Sequence, residues 1–519
     1  MRPADTSMAG LIDRHVRERP EAVAIRFNGR DTSFKALEDL ANRMANAMIA
    51  EGLEPGDRIA ILAKNSDQYL AMVLASAKAR VCAVTLNWRL APSEIAYILE
   101  HSDAKLLFVE PEFLASHAAP IEAAGQLRRC LEFSPDSPGS VAETWWMSAP
   151  ATPPATVSEA SDDFVQMYTS GTTGLPKGVV LTHGGYLAAY VAVNALAWAR
   201  YDETDTIFPP SPFFHVSGLN VALRALNTGA RVILRPMFIP TEAPDVIVRE
   251  GVTRALMVPA VIAQLLATPS VRQLDFSRLK MITYGGSPMP PKVLEEAQQV
   301  FGCSFVQGYG LTETGGQATF LDPDDHRTGG RRLGSCGRPT PGCEVRICDH
   351  DGQTLPPETV GEIQIRSTSM MKEYWKNPEA TSATMSGDWL KTGDAGYLDA
   401  DGYLYIHDRV KDMIVSGGEN IYPTEVENAL SSYPGVAEVA VIGVPDEKWG
   451  EAVKALVVPK PGAQIDTAGL IAHARERIAG YKLPKSVDFV SPLPRNASGK
   501  ILRRALREPF WAGRSKQVG

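Results

Sequence analysis

From Arg58 to Val109 the chain alternates short apolar runs with helix-patterned segments, and no other feature restricts its fold so strongly. Arg58–Ala63 (RIAILA), Val81–Leu86 and Lys105–Val109 read as strands, with Asp67–Ala79 and Pro92–Glu100 as helices between them. Strand–helix–strand order lays successive strands parallel and covers the sheet with the helices, which predicts a doubly wound α/β fold. A helix precedes this block. Ser33 can cap it, Leu37, Leu40, Met44 and Met48 recur at helical spacing, and Gly52 can end it.

The alternation resumes further on, with Gly184–Trp198 helix-like and Thr206–Pro209, Arg231–Leu234 and Ala255–Val258 as strands. Two later strands stop in glycine turns. Lys280–Tyr284 runs into Gly285-Gly286-Ser287-Pro288, and Phe305-Val306-Gln307 into Gly308-Tyr309-Gly310-Leu311-Thr312-Glu313. Ligands of open α/β sheets sit at the carboxyl ends of strands, where glycine lets backbone approach them. From Cys343 to Leu404, short strands between Gly, Pro and Asp turns predict a small β-barrel. Beyond Arg409 come the turn Ser416–Asn420, a helix opened by Pro423, strands at Val436–Val444 and Ala452–Val458, and a helix over Asp466–Ala479. The predicted organisation is a large N-terminal domain over 1–408 and a small α+β domain over 412–519, joined near 409–411.

Thr169-Ser170-Gly171-Thr172-Thr173-Gly174-Leu175-Pro176-Lys177-Gly178 carries the plainest chemistry. Glycines let successive N–H groups point into one concavity, the hydroxyls add donors, and Lys177 adds a mobile charge. Such a cradle suits polyphosphate, although its spacing is not that of the Walker loop. Net charge of -8 leaves no basic field to collect nucleic acid. No apolar run is long enough to span a bilayer and no signal-type segment opens the chain, so a cytoplasmic protein without integral membrane contact is expected. Six scattered cysteines are too sparse for a disulfide framework, and Cys336, Cys343, Cys348 and His350 match no zinc spacing.

Five separated signatures occur in one order: the Thr169–Gly178 loop, Gly308–Glu313, Thr392-Gly393-Asp394, Arg409, and Pro494-Arg495-Asn496-Ala497-Ser498-Gly499-Lys500. Together they resemble the adenylate-forming superfamily, over nearly the whole chain. That resemblance implies a carboxylic acid–CoA ligase using ATP, Mg²⁺ and CoA through an acyl-adenylate. It implies a mobile C-terminal lid and leaves a homodimer open. Thr169 to Gly174 and Lys177 would hold the β- and γ-phosphates. Tyr309 would stack on adenine, Gln307 would bond its amino edge, and Gly285, Gly286 and Ser287 would line the other side, beside Gly308 and Gly310. Thr312 would contact the α-phosphate and Glu313 would hold Mg²⁺. Asp394 would accept from the ribose hydroxyls with Arg409 assisting. Lys411, at the hinge, and Gly417, Gly418 and Glu419 complete the nucleotide set, while Tyr481 and Lys485 would reach the CoA nucleotide. Lys500 would catalyse adenylation. His215 reads alone as a histidine in an aromatic turn, and the resemblance implies a gate between acyl pocket and thioester channel.

No basic residue stands among the positions expected to line the acyl pocket, so an apolar monocarboxylic acid follows. Gly308, Gly310, Gly315 and Gly316 would leave its floor open to a medium- or long-chain fatty acid or a phenylpropenoid-sized aryl acid. Chain or ring stays open. So does the acceptor, since a separate carrier protein offers the same thiol as CoA.

Overall fold

The computed structural model describes the chain except residues 1–6, 138, 170–174, 288, 410–411, 417–418, 447, 496–500 and 513–519. It divides into two compact units, Met1–Val345 with Ile365–Leu390, and Arg346–Gln364 with Lys391–Gly519.

Two large sheets build the first unit. In the seven-stranded sheet the order is Glu373–Tyr374, Lys177–Thr182, Asp163–Thr169, Cys82–Thr85, Arg58–Leu62, Ala104–Val109 and Arg129–Glu132. The strands from Asp163–Thr169 to Arg129–Glu132 run parallel, as the alternating pattern predicts. The nine-stranded sheet is parallel at its centre, where Arg254–Met257, Met281–Gly285 and Ser304–Leu311 lie side by side. It turns antiparallel where Gly316–Leu321 pairs with Ser304–Leu311. The predicted first helix spans Phe34–Ala50, and Ser33 caps it by accepting the Ala36 amide at 3.2 Å. One core takes Ile25 and Val232 from one sheet, Ile59, Phe108 and Val179 from the other, and the buried faces of Phe34–Ala50 and Asp67–Ala79. Strands covered on both faces need near-continuous apolar sequence, which is why RIAILA reads as a run.

The short strands expected around 343–404 form a five-stranded sheet of Cys343–Cys348, Gly361–Ser367, Trp389–Leu398, Met385–Ser386 and Leu404–Arg409. In the second unit, Pro423–Ser431 and Thr467–Arg475 accompany a sheet dominated by the hairpin Val436–Asp446 and Gly450–Pro459. Ile414, Ile421, Val426, Leu430, Val453 and Leu470 form its core. The chain is thus a mixed α/β protein with a large unit of sheets and a small α+β one. Among the described residues, no helix is long and apolar enough to cross a membrane.

His183 opens the helix His183–Asn194, and its Nδ1 accepts the Met8 amide at 3.0 Å. That bond puts the ring proton on Nε2, which is buried without an acceptor. Burial pushes the His183 pKa down from 6.5 to about 4. Between those values the unfolded chain binds the extra proton. The stability tied to His183 is therefore complete above pH 6.5 and is lost as pH falls through that window, amounting to roughly 3 kcal/mol. The thermal midpoint should drop across it, and His183→Gln should flatten that drop. Parallel pH curves for the two proteins would contradict the assignment.

Candidate active site

The segment Ser170, Gly171, Thr172, Thr173 and Gly174 lies outside the described residues, but both its flanks are fixed. Thr169 and Lys177 are direct partners across the antiparallel pair Asp163–Thr169 and Lys177–Thr182. Lys177 Nζ stands 4.7 Å from the centre of the Tyr374 ring. Tyr374 belongs to the edge strand beside Lys177–Thr182, and its hydroxyl donates to Glu313 Oε1 at 2.9 Å. Thr169 Oγ1 donates to the same oxygen at 3.4 Å. The structure thereby gathers Thr169, Lys177 and Glu313 from distant parts of the sequence. Tyr374 is the member that sequence reading missed; its only signal was an aromatic near the end of Ser367–Trp375.

Glu313 keeps its other carboxylate oxygen for a ligand, and hydroxyls of Thr169 and Tyr374 hold the first in place. Mg²⁺ takes one or two protein carboxylates and fills its shell with phosphate and water oxygens, so this donor set fits it.

The nucleotide wall is built by strand pairing. Gly285 lies opposite Gly308, and a Cβ on Gly285 would overlap the Gly308 carbonyl, so only glycine permits this approach. Gly286 has φ 80° and Ser287 is exposed. Gln307 Nε2 donates to Cys336 Sγ at 3.4 Å, which leaves Oε1 as an acceptor suited to an amino edge. Tyr309 pairs with Thr319, and Thr312 closes the following turn by accepting the Gly315 amide at 3.0 Å. His215 caps Val216–Thr228 and packs its ring 4.6 Å from that of Phe214.

One expectation about the acyl pocket needs correction. A Cβ on Gly310 would overlap the Gly316 carbonyl, and one on Gly315 would overlap the Ser369 carbonyl. These glycines serve backbone approach and open no floor. Gly316 has φ 123°, where any side chain is strained, so a leucine there would not isolate chain length. The cavity beside this turn holds about 40 Å³ and is lined by Trp198, Phe320, Leu256, Asn220, Arg224 and Arg254, among others. That is room for two or three waters. Arg224 and Arg254 are both part of that lining.

In the second unit Asp394 is buried and pairs in register with Arg409. The Asp394 amide donates to Thr392 Oγ1 at 3.0 Å, and that hydroxyl donates to the Ile363 carbonyl at 2.8 Å. Tyr481 is exposed and Lys485 Nζ lies 5.9 Å from the ring of the exposed Trp449. Lys482, by contrast, is held by Glu425 at 2.6 Å and is no freely solvated partner for Lys485. Lys411, Gly417, Gly418 and Lys500 lie outside the described residues, as do the side chains of Arg409 and Glu419.

Residues 12–375 match the AMP-binding enzyme family and residues 425–500 match the AMP-binding enzyme C-terminal domain. The chain belongs to this family of adenylate-forming enzymes and is an AMP-forming acid–thiol ligase, with ATP and CoA as the cosubstrates of the class. It is 41% identical over 511 residues to a fatty acid–[acyl-carrier-protein] ligase of Streptomyces coeruleorubidus, covering 97% of this chain and 96% of that protein. An indoleacetate–CoA ligase of Aromatoleum aromaticum is 39% identical, over 96% of this chain and 97% of its own. Among solved structures, ATP-bound MatB from Rhodopseudomonas palustris superposes with a TM-score of 0.89 at 31% identity, over 97% of this chain and 99% of that one.

Gly310→Ala tests the close approach. Its methyl must push the Gly316 backbone aside and carry the tyrosine turn with it, and a displacement near 1 Å costs about a hundredfold in rate. Acyl-adenylate formation should fall by that order. A loss smaller than threefold would show that the turn absorbs the methyl.

Proposed function

We propose that this chain activates an acid with a largely hydrocarbon skeleton, aliphatic of medium or long chain or aryl of phenylpropenoid size, and transfers it to CoA. An oxygen of the acid attacks the α-phosphorus of ATP, the bond to pyrophosphate breaks, and an acyl-adenylate forms. The thiol sulfur then attacks the acyl carbon and AMP leaves. The observation that carries this reading is the convergence of the Thr169 and Tyr374 hydroxyls on Glu313, with Lys177 over the Tyr374 ring beside them. It brings a cation, hydroxyls and a carboxylate to one place, as phosphoryl transfer requires.

In this reading Lys177 and the loop before it bind the β- and γ-phosphates, Thr312 the α-phosphate, and Tyr309, Gln307 and Gly285–Ser287 the adenine. Mg²⁺ on Glu313 would neutralise developing charge on the phosphates. Asp394 and Arg409 take the ribose, His215 gates the acyl channel, and Tyr481 with Lys485 meets the CoA nucleotide. Lys500 bridges the carboxylate and the phosphate, and the segment 409–411 hinges a C-terminal domain of 412–519 between the two half-reactions. None of the six cysteines is joined in a disulfide, as suits a reducing cytoplasm. A second reading, loading of a carrier-protein phosphopantetheine, is favoured by the relative that acts on an acyl-carrier protein.

Pyrophosphate release over a panel of acids, followed by transfer to CoA or to a phosphopantetheinylated carrier, tests the whole. Release that needs an acid, and thioester on CoA, is the expected result; thioester on the carrier alone selects the second reading. Lys500→Ala should cut acyl-adenylate formation by about 10²–10³-fold and spare thioester formation from supplied acyl-adenylate; equal losses would refute its role. Lys411→Pro fixes φ at the hinge and removes an N–H, so adenylation should persist while transfer to the thiol is lost. Normal transfer in that variant would remove the hinge from 411.

A further inference from the structure

Two side chains lining the cavity beside the tyrosine turn have buried polar atoms left unused, and a third is a buried guanidinium. The Tyr190 hydroxyl is fully enclosed and bonded to nothing. Asn220 donates from Nδ2 to the Gly315 carbonyl at 2.8 Å, which fixes the amide and leaves Oδ1 buried without a donor. Arg224 is 8% exposed, stacks 3.7 Å from the Tyr201 ring centre, and spends one N–H on the Ala199 carbonyl at 3.3 Å. Among the described residues no carboxylate pairs with it. Its neighbour Arg254 differs, since Asp205 lies 3.3 Å from its Nε and the Trp198 carbonyl accepts from Nη1 at 2.9 Å.

The cavity belongs to the reaction site by its construction. Gln317 and Phe320 line it from the strand paired with the tyrosine turn, Gly310 lying opposite Gln317. Asn220 holds the very carbonyl that follows Thr314 in that turn. Much of the remaining wall is hydrocarbon and aromatic, with Val193, Trp198, Val221, Leu256, Met281 and Phe320 beside the polar Arg254, Thr283 and Gln317.

Water can serve these atoms in the free protein, and the space admits it. An acid that fills the cavity expels that water. A plain hydrocarbon chain would then seal an unpaired guanidinium, a hydroxyl and an amide oxygen in an apolar pocket, the costly arrangement. A hydroxyl on the acid has one proton to give Asn220 Oδ1 and two lone pairs for Tyr190 and Arg224; an oxo group answers the latter two.

We propose that Tyr190, Asn220 and Arg224 recognise an oxygen function on the carbon skeleton of the acid, so that the preferred substrate is a hydroxy- or oxo-acid rather than a plain hydrocarbon one. This rests on the ligase reading above and on the cavity as its acyl pocket. Pyrophosphate release is measured with octanoate against its positional hydroxy and oxo analogues, and with cinnamate against 4-hydroxycinnamate. The proteins are the wild type, Arg224→Met, Arg224→Lys and Tyr190→Phe. At least one oxygenated acid should exceed its parent in kcat/KM by about tenfold or more. That ratio should approach one in Arg224→Met, recover in part in Arg224→Lys, and fall several-fold in Tyr190→Phe. If Arg224→Met does not fold, Tyr190→Phe decides, because it deletes only an oxygen. A wild type that prefers the hydrocarbon parents throughout, or variants that keep its ratio, overturns the inference and leaves the ligase standing. No pyrophosphate from any acid overturns the ligase reading and this inference with it.

Discussion

A single buried guanidinium holds the frame on which the active site is hung. Arg58 sits on a central strand of the seven-stranded sheet, bonded to Asp163 at 2.9 Å, Gln166 at 2.8 Å and the Gly56 carbonyl at 2.8 Å. Its plane lies 3.2 Å from the centre of the Trp375 ring. Asp163 and Gln166 begin the strand that delivers Thr169, and the Trp375 amide donates to the Gly178 carbonyl at 2.7 Å, just past Lys177. Tyr374, the residue before Trp375, reaches Glu313. One charge therefore ties both strands that flank the phosphate segment to the edge strand that orients the carboxylate. A buried ion pair is a poor source of net stability, but removing one partner strands the other, at a cost of about 3–5 kcal/mol. The arrangement sets position more than it adds stability, and position is what phosphoryl transfer demands.

The glycines follow the same logic at the opposite sheet. Gly285, Gly310 and Gly315 each face a carbonyl where a Cβ would overlap it. Backbone meets backbone there, so the segment bearing Tyr309, Thr312 and Glu313 is held by main chain and by Thr314, whose hydroxyl donates to the Gly316 carbonyl at 2.7 Å. Ser369 closes the turn from outside by donating to the Thr314 carbonyl at 2.9 Å. Little in that turn can shift, which suits the proposed role of presenting three groups to one nucleotide.

How far the sequence spoke depended on the range of each interaction. Strand and helix alternation is local, and it gave the parallel sheets, the Ser33 cap and the helix at Pro423 directly. Glycine turns after strands are local too, so the positions of Gly285 and Gly308–Gly310 were legible, though not their reason: a steric overlap with a partner strand cannot be read from one strand. Tyr374 was invisible because it meets Glu313 across 61 residues, and only edge-strand pairing with Val179 brings it there. The Lys482–Glu425 pair was equally invisible, because Glu425 lies 57 residues earlier. The cavity beside the tyrosine turn was illegible for the same reason. Its lining comes from two helices, a connecting turn and three strands, and Arg224 looks like an ordinary charged residue of an amphipathic helix until its face is seen to be covered.

That covered face carries an electrostatic asymmetry. Asp205 serves Arg254, Lys280 and the Thr253 hydroxyl at once, so its negative charge is fully drawn upon. Among the described residues nothing comparable stands opposite Arg224, whose side chain meets a carbonyl and an aromatic face. Stacking on Tyr201 lessens the desolvation of a weakly hydrated guanidinium without neutralising it. A methionine or leucine would pack against Tyr201 and the cavity wall with no such penalty, because buried ionic groups are commonly replaceable by apolar ones of similar volume. A cation kept where packing does not call for one agrees with the proposal that its compensation comes from the acid.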